Sequence, residues 1–351
     1  MKPEVLNKII HAGIAAPSAD NSQPWLYNHT GDTIHLYIDE TRSGKISDTR
    51  YLLSDIAIGC VIENMLIQAR HLGYQGNIEY FPQTEKMSPL YAASINFTKQ
   101  PNSDSIPDTS IYNRHTDRTF PWKGSINSEI KESISAETRK INGADLLWLD
   151  NKQRKIAYKA LFLAESLRFS DRTFHQELFS SIDFNLNWKQ SSAEGLAPAA
   201  LNVEFFAKPI FKLARKWKFM KVLNLFGGAH FFGLRSTVIP SLLSPELCLV
   251  TINETDRKSI IASGRAIQRT WLKISDQKLN SHPFASPCVM SLNFFNCPHL
   301  NIPKISSHMS ELSPNKNGVI LFRVGTQQQN SQLSKRRRKH SFQRANQTVQ
   351  E

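Results

Sequence analysis

The residues best suited to chemistry form a short basic segment, because residues 114–118 read Arg-His-Thr-Asp-Arg. If this segment is extended, alternate side chains share a face, so Arg114, Thr116 and Arg118 point together. Two guanidinium groups beside a hydroxyl suit a phosphate, since arginine forms bidentate charge-assisted hydrogen bonds and threonine adds a neutral donor. Solvated polar strands carry the same pattern by chance. The segment alone leaves phosphate binding and a plain polar strand both open.

A second polar segment lies near the N-terminus, where residues 16–25 read Ala-Pro-Ser-Ala-Asp-Asn-Ser-Gln-Pro-Trp. It follows a helical apolar stripe over residues 5–15 and runs into a strand pattern. Its two prolines stop the helix and stiffen the turn, while Ser18, Asn21 and Gln23 offer small hydrogen-bonding side chains. These residue types suit a ligand, and they also build ordinary helix-to-strand loops.

The elements that must position these segments alternate between strands and helices. Period-two patterns predict strands at 34–38, 91–97, around Trp148, at 247–252 and at 319–325, and helical periodicity predicts helices at 54–72, 126–139, 151–181 and 259–278. Ser54 and Asp55 are suited to cap one long helix, and Asp256 the other. The mixture predicts an α+β fold.

The two long helices show a weak internal repeat. Three pairs of residues match at a constant offset of 205 positions: Gly59 with Gly264, Ile62 with Ile267, and Leu66 with Trp271. A glycine on a helix face lets a neighbouring helix approach closely. The offset therefore predicts that the two helices pack together as the seam of a pseudo-dimer.

Two further segments bear on domain organisation. Residues 100–110 are polar and proline-containing, which predicts a linker. Residues 195–232 mix aromatic and aliphatic residues with a basic run. This composition is typical of an amphipathic lid or of a membrane-surface helix. The sequence favours a third interpretation, a peripheral helix that packs its apolar side on the body and leaves its lysines in water.

Composition restricts the function classes. The chain has 351 residues, 40% of them hydrophobic, and a net charge of +13 that is concentrated in the tail and in residues 212–221. Because no zinc finger or RNA-binding aromatic motif accompanies these charges, no nucleic-acid role is expected, and an anionic small ligand fits equally well. The four cysteines are too far apart for a metal site or a disulfide framework. No apolar run approaches a membrane span and no secretory signal is recognisable, which predicts a cytoplasmic protein.

In this order the segments resemble the FMN-dependent nitroreductase family, especially its fused pseudo-dimeric subgroup. The match spans nearly the whole chain and rests on residues 16–25, residues 114–118, the helix from Gly264 to Leu272 leading to Pro283, and Arg323-Val324-Gly325 before a basic cluster. The resemblance implies a nitroreductase-like α+β fold with mainly antiparallel sheets flanked by helices. It also implies an N-terminal half-repeat (1–100), a linker (101–110), a C-terminal half-repeat (111–330) with a lid insertion (195–232), and a basic tail (331–351).

The same resemblance implies where FMN would bind. The phosphate would be held by Arg114, Thr116 and Arg118, with His115 beside the flavin. The remaining contacts would come from the N-terminal loop, from backbone after the second long helix, and from the tail: Ser18, Asn21, Gln23, Pro283, Phe284, Ala285, Lys335 and Arg336. No catalytic side chain is implied, because the flavin carries the hydride chemistry and backbone near Phe284 and Ala285 lies at its reactive edge.

The implied function is an FMN-dependent NAD(P)H oxidoreductase that passes electrons by ping-pong chemistry to an electron-poor small molecule, such as a nitroaromatic or a quinone. The chain holds one loop and one arm of each kind, which predicts one complete FMN site in a monomeric pseudo-dimer or weak oligomer. If residues 195–232 close over the flavin, the protein would instead bind or sequester FMN with little turnover. Nucleic-acid binding through the tail is a third alternative, and it predicts salt-sensitive affinity.

Overall fold

The computed structural model describes residues 1–82, 90–101, 104–292, 301–326 and 335–344. Its strands are β1 (Trp25–Thr30), β2 (Thr33–Ile38), β3 (Tyr74–Tyr80), β4 (Tyr91–Lys99), β5 (Ala144–Trp148), β6 (Glu246–Ile252), β7 (Asn280–Phe284) and β8 (Asn317–Gly325). Its α-helices are α1 (Pro3–Ile14), α2 (Leu52–His71), α3 (Thr109–Asn113), α4 (Ser128–Arg139), α5 (Asn151–Ser170), α6 (Arg172–Ser180), α7 (Lys208–Ala214), α8 (Trp217–Leu225), α9 (Gly228–Gly233), α10 (Ile239–Leu242), α11 (Arg257–Asp276), α12 (Ser286–Ser291) and α13 (Asn301–Leu312).

Strands within the described residues form two four-stranded antiparallel sheets with the same layout. The strand orders are β1-β2-β4-β3 and β5-β6-β8-β7. In each sheet a long helix joins the second strand to the third, α2 in the first and α11 in the second. The pairing register also shifts between the second and fourth strand of each sheet. The predicted α+β class with antiparallel sheets is confirmed, and the repeated layout agrees with the internal repeat.

The two long helices touch through their glycines. A Cβ atom on Gly59 would lie 2.0 Å from the carbonyl oxygen of Ile261, and one on Gly264 would lie 2.0 Å from that of Ile56. The Cys60 thiol donates to the Gly264 carbonyl at 3.2 Å across the same crossing. Any side chain at either position would push the backbones apart, so the predicted packing of the two helices depends on both glycines.

Replacing Gly264 by alanine is therefore expected to lower the free energy of unfolding by about 2–3 kcal/mol, because the new methyl group overpacks a backbone contact. Urea unfolding followed by circular dichroism measures this loss. Gly59→Ala is the matched variant across the crossing. The double variant should cost less than the sum of the two, since the helices separate only once. An unchanged midpoint in both single variants would contradict this description of the crossing.

The second sheet differs from the first by a long insertion. β1 and β2 are joined by the tight turn at residues 31–32, whereas β5 and β6 are joined by residues 149–245, which carry α5 to α10. The segment predicted as a lid, 195–232, lies inside this insertion. Helices α6 to α9 contribute to a small hydrophobic cluster, separate from the main one, that includes Phe179 and Met220. The insertion therefore stands as a unit beside the main core.

Two predicted helix boundaries were wrong. Residues 151–181 do not form one helix, because the Asp171 carboxylate accepts the backbone N–H groups of Thr173 and Phe174 and starts a new helix, α6. The sequence gave no sign of this break, since apolar periodicity continues through it. Both segments are helical, and only their continuity was mispredicted.

The predicted Ser54-Asp55 cap was also wrong. Helix α2 begins at Leu52, and Asp48 in the preceding turn accepts the backbone N–H groups of Leu53 and Ser54 at 2.7 and 3.0 Å. Asp55 lies inside the helix and forms an ion pair with Arg257 at 2.8 Å. A carboxylate upstream of the helix thus satisfies the exposed N–H groups that Ser54 was expected to serve.

Helix α2 is the most apolar helix of the main core. By length and composition the segment Ile46–His71 could cross a membrane, with a mean hydropathy of 1.5, which the sequence analysis did not anticipate. However, 89% of its most apolar window is buried inside the protein. Its apolar character is therefore explained by packing against the first sheet, α1 and α11.

A buried ion cluster ties distant parts of the chain together at α11. Arg269 on α11 is 2% exposed and contacts Glu63 on α2 at 2.6 Å, Asp104 at 2.8 Å and Glu137 on α4 at 2.6 Å. The guanidinium charges of this region hold the pKa values of all three carboxyl groups below their usual range, despite their burial. Glu63 is also paired with Arg265 at 2.8 Å.

Candidate functional site

The N-terminal loop adopts an unusual backbone between α1 and β1. Asp20, Asn21 and Gln23 have φ angles of 51°, 55° and 52°, in the left-handed region that non-glycine residues rarely occupy. The Ser18 hydroxyl accepts the Gln23 backbone N–H at 2.8 Å and closes the loop on itself. Such conformations persist only where surrounding contacts hold them, and they concentrate at binding sites.

The two amide side chains of this loop hold distant segments of the chain. Asn21 donates to the carbonyl oxygens of Gly195 and Lys335 at 3.3 and 3.4 Å. The Gln23 amide donates to Ala193 at 2.7 Å and accepts the backbone N–H of Arg337 at 3.1 Å. Both side chains are buried, Gln23 completely. The loop thus brings together the insertion and the basic C-terminal segment.

Arg114 is buried close to this loop at the end of α3. It is 7% exposed, its guanidinium carbon lies 4.4 Å from the centre of the Trp271 ring, and it donates to the Ala15 carbonyl at 3.2 Å. Its Nε makes no hydrogen bond, and it forms no ion pair with any residue that the structure describes. A buried guanidinium in this situation lacks the anion that normally accompanies it.

Arg336 brings a second guanidinium to the same place. It donates to the Ala16 carbonyl at 3.1 Å and to the Asn21 side-chain oxygen at 3.2 Å. Burial together with repulsion from Arg336 lowers the pKa of Arg114 to about 9, and burial lowers the pKa of Arg336 to about 10. Two buried cations this close favour an anion between them. The arm and the tail, 222 positions apart in sequence, are thus brought to one basic cluster, formed by Arg114 and Arg336 at the C-terminus of α1.

Arg118 has different surroundings from Arg114. It donates to the Ala200 carbonyl of the insertion at 3.2 Å. Burial lowers its pKa, and the nearest compensating charge is Asp20. Residues 114–120 do not form a strand, so the expectation that alternate side chains of an extended segment share a face does not apply.

The other residues proposed from the resemblance occupy three places. The His115 ring interacts with the Asn113 carbonyl at 2.9 Å, and Thr116 is partly buried. Phe284, at the end of β7, is 6% exposed and packs into the main core, which leaves only its backbone and that of Pro283 and Ala285 to face a ligand. Lys335 has an exposed side chain, and its carbonyl accepts from Asn21.

Two residues between these elements were quoted in the sequence motifs but given no role. Asp117 is fully buried, accepts from the Thr119 N–H at 2.8 Å and the Asn280 amide at 2.8 Å, and thereby fixes the arm to β7. Arg323 on β8 is fully buried, donates to His282 at 3.2 Å and to the carbonyl of Asp117 at 3.1 Å. A lone arginine in an apolar strand pattern was the signal that could have identified it.

The largest cleft lies beside the basic cluster rather than at it. It has a volume of about 1050 Å³ and runs between the turn at Arg42–Lys45 and the end of α6. Asp20 and Ser22 of the N-terminal loop line it, but Arg114, Arg118 and Arg336 do not. Asp20 also interacts electrostatically with Arg118. The loop therefore separates an open cleft from a closed basic cluster.

Cysteine and metal-ligand placement adds little to the site. Cys60, Cys248 and Cys288 are buried and free, and Cys297 lies outside the described residues. Within the described part of the chain, no group of three or more His, Cys, Asp or Glu side chains is placed to hold a metal ion.

The described residues define an α+β protein of two similarly built sheets, with a basic cluster where the N-terminal loop, the arm and the C-terminal segment meet. The chain is 27% identical over 183 residues to a Mycobacterium tuberculosis protein named "Putative NAD(P)H nitroreductase acg", covering 50% of this chain and 53% of that protein. A second protein of that organism, of uncharacterized function, is 27% identical over 183 residues, with 50% and 52% covered. The chain spans about half the length of these curated relatives, and no family model matches it. The sequence match supports the nitroreductase family for this chain.

Solved structures of similar outline are more distant. A BluB-like flavoprotein from Clostridium difficile 630 is 9% identical with a TM-score of 0.38, and the match covers 66% of this chain and 95% of that one. The FMN-dependent nitroreductase NfnB from Mycobacterium smegmatis, in complex with NADPH, is 12% identical with a TM-score of 0.35, covering 62% and 86%.

Proposed function

We propose that this chain is an FMN-binding flavoprotein that takes hydride from NAD(P)H and passes electrons to an electron-poor small molecule, such as a nitroaromatic or a quinone. The observation that carries the proposal is the basic cluster, in which buried Arg114 has an unsatisfied Nε and lies beside Arg336. The phosphate of FMN supplies the missing anion. The relative named as an NAD(P)H nitroreductase supports the same class of activity.

The residues present fit such a group. Arg114 and Arg336 would hold the phosphate, and Asn21 positions Arg336 through its side-chain oxygen. Bound FMN supplies the hydride chemistry. The chain contributes orientation and exclusion of water, with the backbone of Pro283 to Ala285 placed at the end of β7. Arg118, Thr116 and His115 remain proposed contacts on the arm, and Ser18, Gln23 and Lys335 on the loop and tail.

The proposed organisation is one FMN site in an intrachain pseudo-dimer, located in the cytoplasm. The N-terminal half-repeat would comprise residues 1–100 and the C-terminal one residues 111–330, joined by a linker at 101–110. Each sheet belongs to one half under this division. A reconstituted protein that binds two FMN per chain would contradict the single site.

The visible spectrum of the purified protein tests the function directly. We expect flavin absorption that bleaches anaerobically with NADPH or NADH and returns on addition of a nitroaromatic or a quinone. A protein that stays colourless after incubation with FMN would contradict flavin binding.

A second candidate function is FMN sequestration with little turnover. Hydrogen bonds from Asn21, Gln23 and Arg118 to the carbonyls of residues 193–200 favour it, because these contacts hold the insertion against the loop and the arm. The same spectrum separates the two functions. Bound flavin that remains oxidised with excess NAD(P)H, and is reduced by dithionite, would select sequestration.

Replacing Asn21 by alanine is expected to weaken FMN binding about tenfold, because the arginine that it positions loses a hydrogen bond worth about 1–2 kcal/mol. Fluorescence titration of the apoprotein measures the change. Asn96→Ala is the matched control, since its exposed amide binds Thr33 on the far sheet. Equal FMN affinity in the Asn21 variant and the wild type would reduce the loop to a structural connection.

A further inference from the structure

The insertion exposes an unusual number of large apolar side chains. Phe205 is 86% exposed, Phe206 80%, Leu225 79% and Phe226 83%. Further exposed members of the same segment are Ile210, Leu213, Val222, Phe231, Leu234, Ile239, Leu242 and Leu243. The sequence favoured a peripheral helix with its apolar side packed inward, and the structure corrects this. We call this exposed set the apolar rim.

These residues are not a misplaced packing face, because the helices already have one. Trp217, Met220 and Leu223 of α8 pack into the small cluster of the insertion, together with Phe211 of α7. The apolar rim lies on the other side of the same helices. A contiguous exposed apolar surface of this kind marks an interaction site.

The rim is surrounded by positive charge. Six cations lie between residues 205 and 243 besides Arg235, and no carboxylate lies there: Lys208, Lys212, Arg215, Lys216, Lys218 and Lys221. All but Lys208 are exposed, and none of the six forms an ion pair with a described residue. Exposed phenylalanine and leucine among lysines are the pattern of segments that lie in the interface of an anionic bilayer.

We infer that residues 205–243 dock on a membrane surface that contains anionic lipid headgroups. A second copy of the chain fits less well, because a two-fold interface would place the same six cations against each other. Side chains that project from several helix ends also suit a deformable medium, in which aromatic rings enter the acyl boundary and lysines reach phosphates. The docking is peripheral, since α7 to α10 are short and the buried helix α2 takes no part in it.

Vesicle flotation tests the docking with the full-length protein. We expect binding to phosphatidylcholine vesicles that contain phosphatidylglycerol, much weaker binding to phosphatidylcholine alone, and loss of binding at high salt. The double variant Phe205→Ser, Phe206→Ser should bind about tenfold more weakly or worse, because it loses two interfacial aromatic groups. Tyr112→Ser, an exposed apolar position outside the rim, should bind like the wild type.

Charge variants give an independent measure. Lys212→Gln with Lys216→Gln should weaken binding to the anionic vesicles by about tenfold. Lys152→Gln with Lys155→Gln, which removes the same charge from exposed positions on α5, is the matched control and should have little effect.

Two outcomes would overturn the inference. One is no flotation of the wild type with anionic vesicles at low salt. The other is concentration-dependent dimerisation in light scattering, abolished by the Phe205, Phe206 double variant without any change in flotation, which would assign the rim to a second copy. Neither outcome bears on FMN binding, which the visible spectrum reports separately.

Discussion

Replacing Arg114 by methionine is expected to weaken FMN binding by about 100-fold, because the variant loses a bidentate charge-assisted contact with the phosphate worth about 3 kcal/mol. Arg114 is the cation of the basic cluster with an unsatisfied buried Nε. Flavin content after purification and fluorescence titration of the apoprotein measure the loss. Arg114→Lys should recover part of the affinity, since lysine restores the charge but not the fork.

The stability of the same variant without flavin should change in the opposite direction or not at all. Burial lowers the pKa of Arg114 to about 9, which means that its charged form is disfavoured in the folded protein without a ligand. Methionine at this position keeps an apolar contact with Trp271 and removes the buried charge. The surface variant Arg139→Met is the control for both readouts. If Arg114→Met lowers apoprotein stability and leaves FMN affinity intact, Arg114 is structural.

Replacing Arg269 by methionine is expected to lower the free energy of unfolding by about 3–5 kcal/mol, because it leaves buried carboxylates without their shared cation. Glu63, Asp104 and Glu137 all contact this one guanidinium. Urea unfolding at neutral pH measures the loss. Arg265→Met is the matched control on the same helix, and it should cost less, because Arg265 is more exposed and pairs with Glu63 alone. Equal losses in the two variants would contradict a central role for Arg269.

The pH dependence of the Arg269 variant provides a check on this cause. In the wild type the pKa values of the three carboxyl groups are lowered, so their contribution is present above about pH 4 and is lost as the pH falls through the folded values. Without Arg269, burial is less opposed and raises these pKa values. The variant should therefore take up protons on folding at mildly acidic pH. The difference between the two proteins should shrink as the pH falls from 7 towards 5.

The helix pairing could be read from the sequence because it depends on residues with a single physical use. A glycine on the face of a long helix permits backbone contact, and Gly59 and Gly264 recur at the same offset as their apolar neighbours. Asp256 was likewise recognisable as a cap, and it does accept the N–H of Ser259. Lys278 stands where the family often has glycine, and its φ of 56° explains the preference for glycine at that position.

The candidate site could be read only in part, because its contacts join residues that no local pattern relates. Arg114 was identified by residue type, but its position over Trp271 and beside Arg336 follows from packing of the two halves. The extended arm was assumed in order to place Arg114 and Arg118 on one face, and their surroundings in the structure differ. Side-chain direction in an irregular segment is set by tertiary contacts rather than by a period of two.

The orientation of the insertion was beyond the sequence for a related reason. Aromatic residues mixed with lysines show that a helix is amphipathic, but not which side packs. Here Trp217 turns inward while Phe226 is exposed to solvent. Two apolar sides on one segment cannot be separated by a single periodicity, so only the three-dimensional arrangement shows that one of them is left uncovered.

The distribution of the loop's partners along the chain has a consequence for biosynthesis. Asn21 and Gln23 are held by residues 193–195 and 335–337, which leave the ribosome long after the loop itself. A nascent chain that ends before residue 337 lacks Arg336 and the backbone that fixes Gln23. Ligand capture must therefore follow synthesis of almost the entire chain. Prematurely terminated or C-terminally clipped molecules should accumulate as empty protein even where their two sheets are intact.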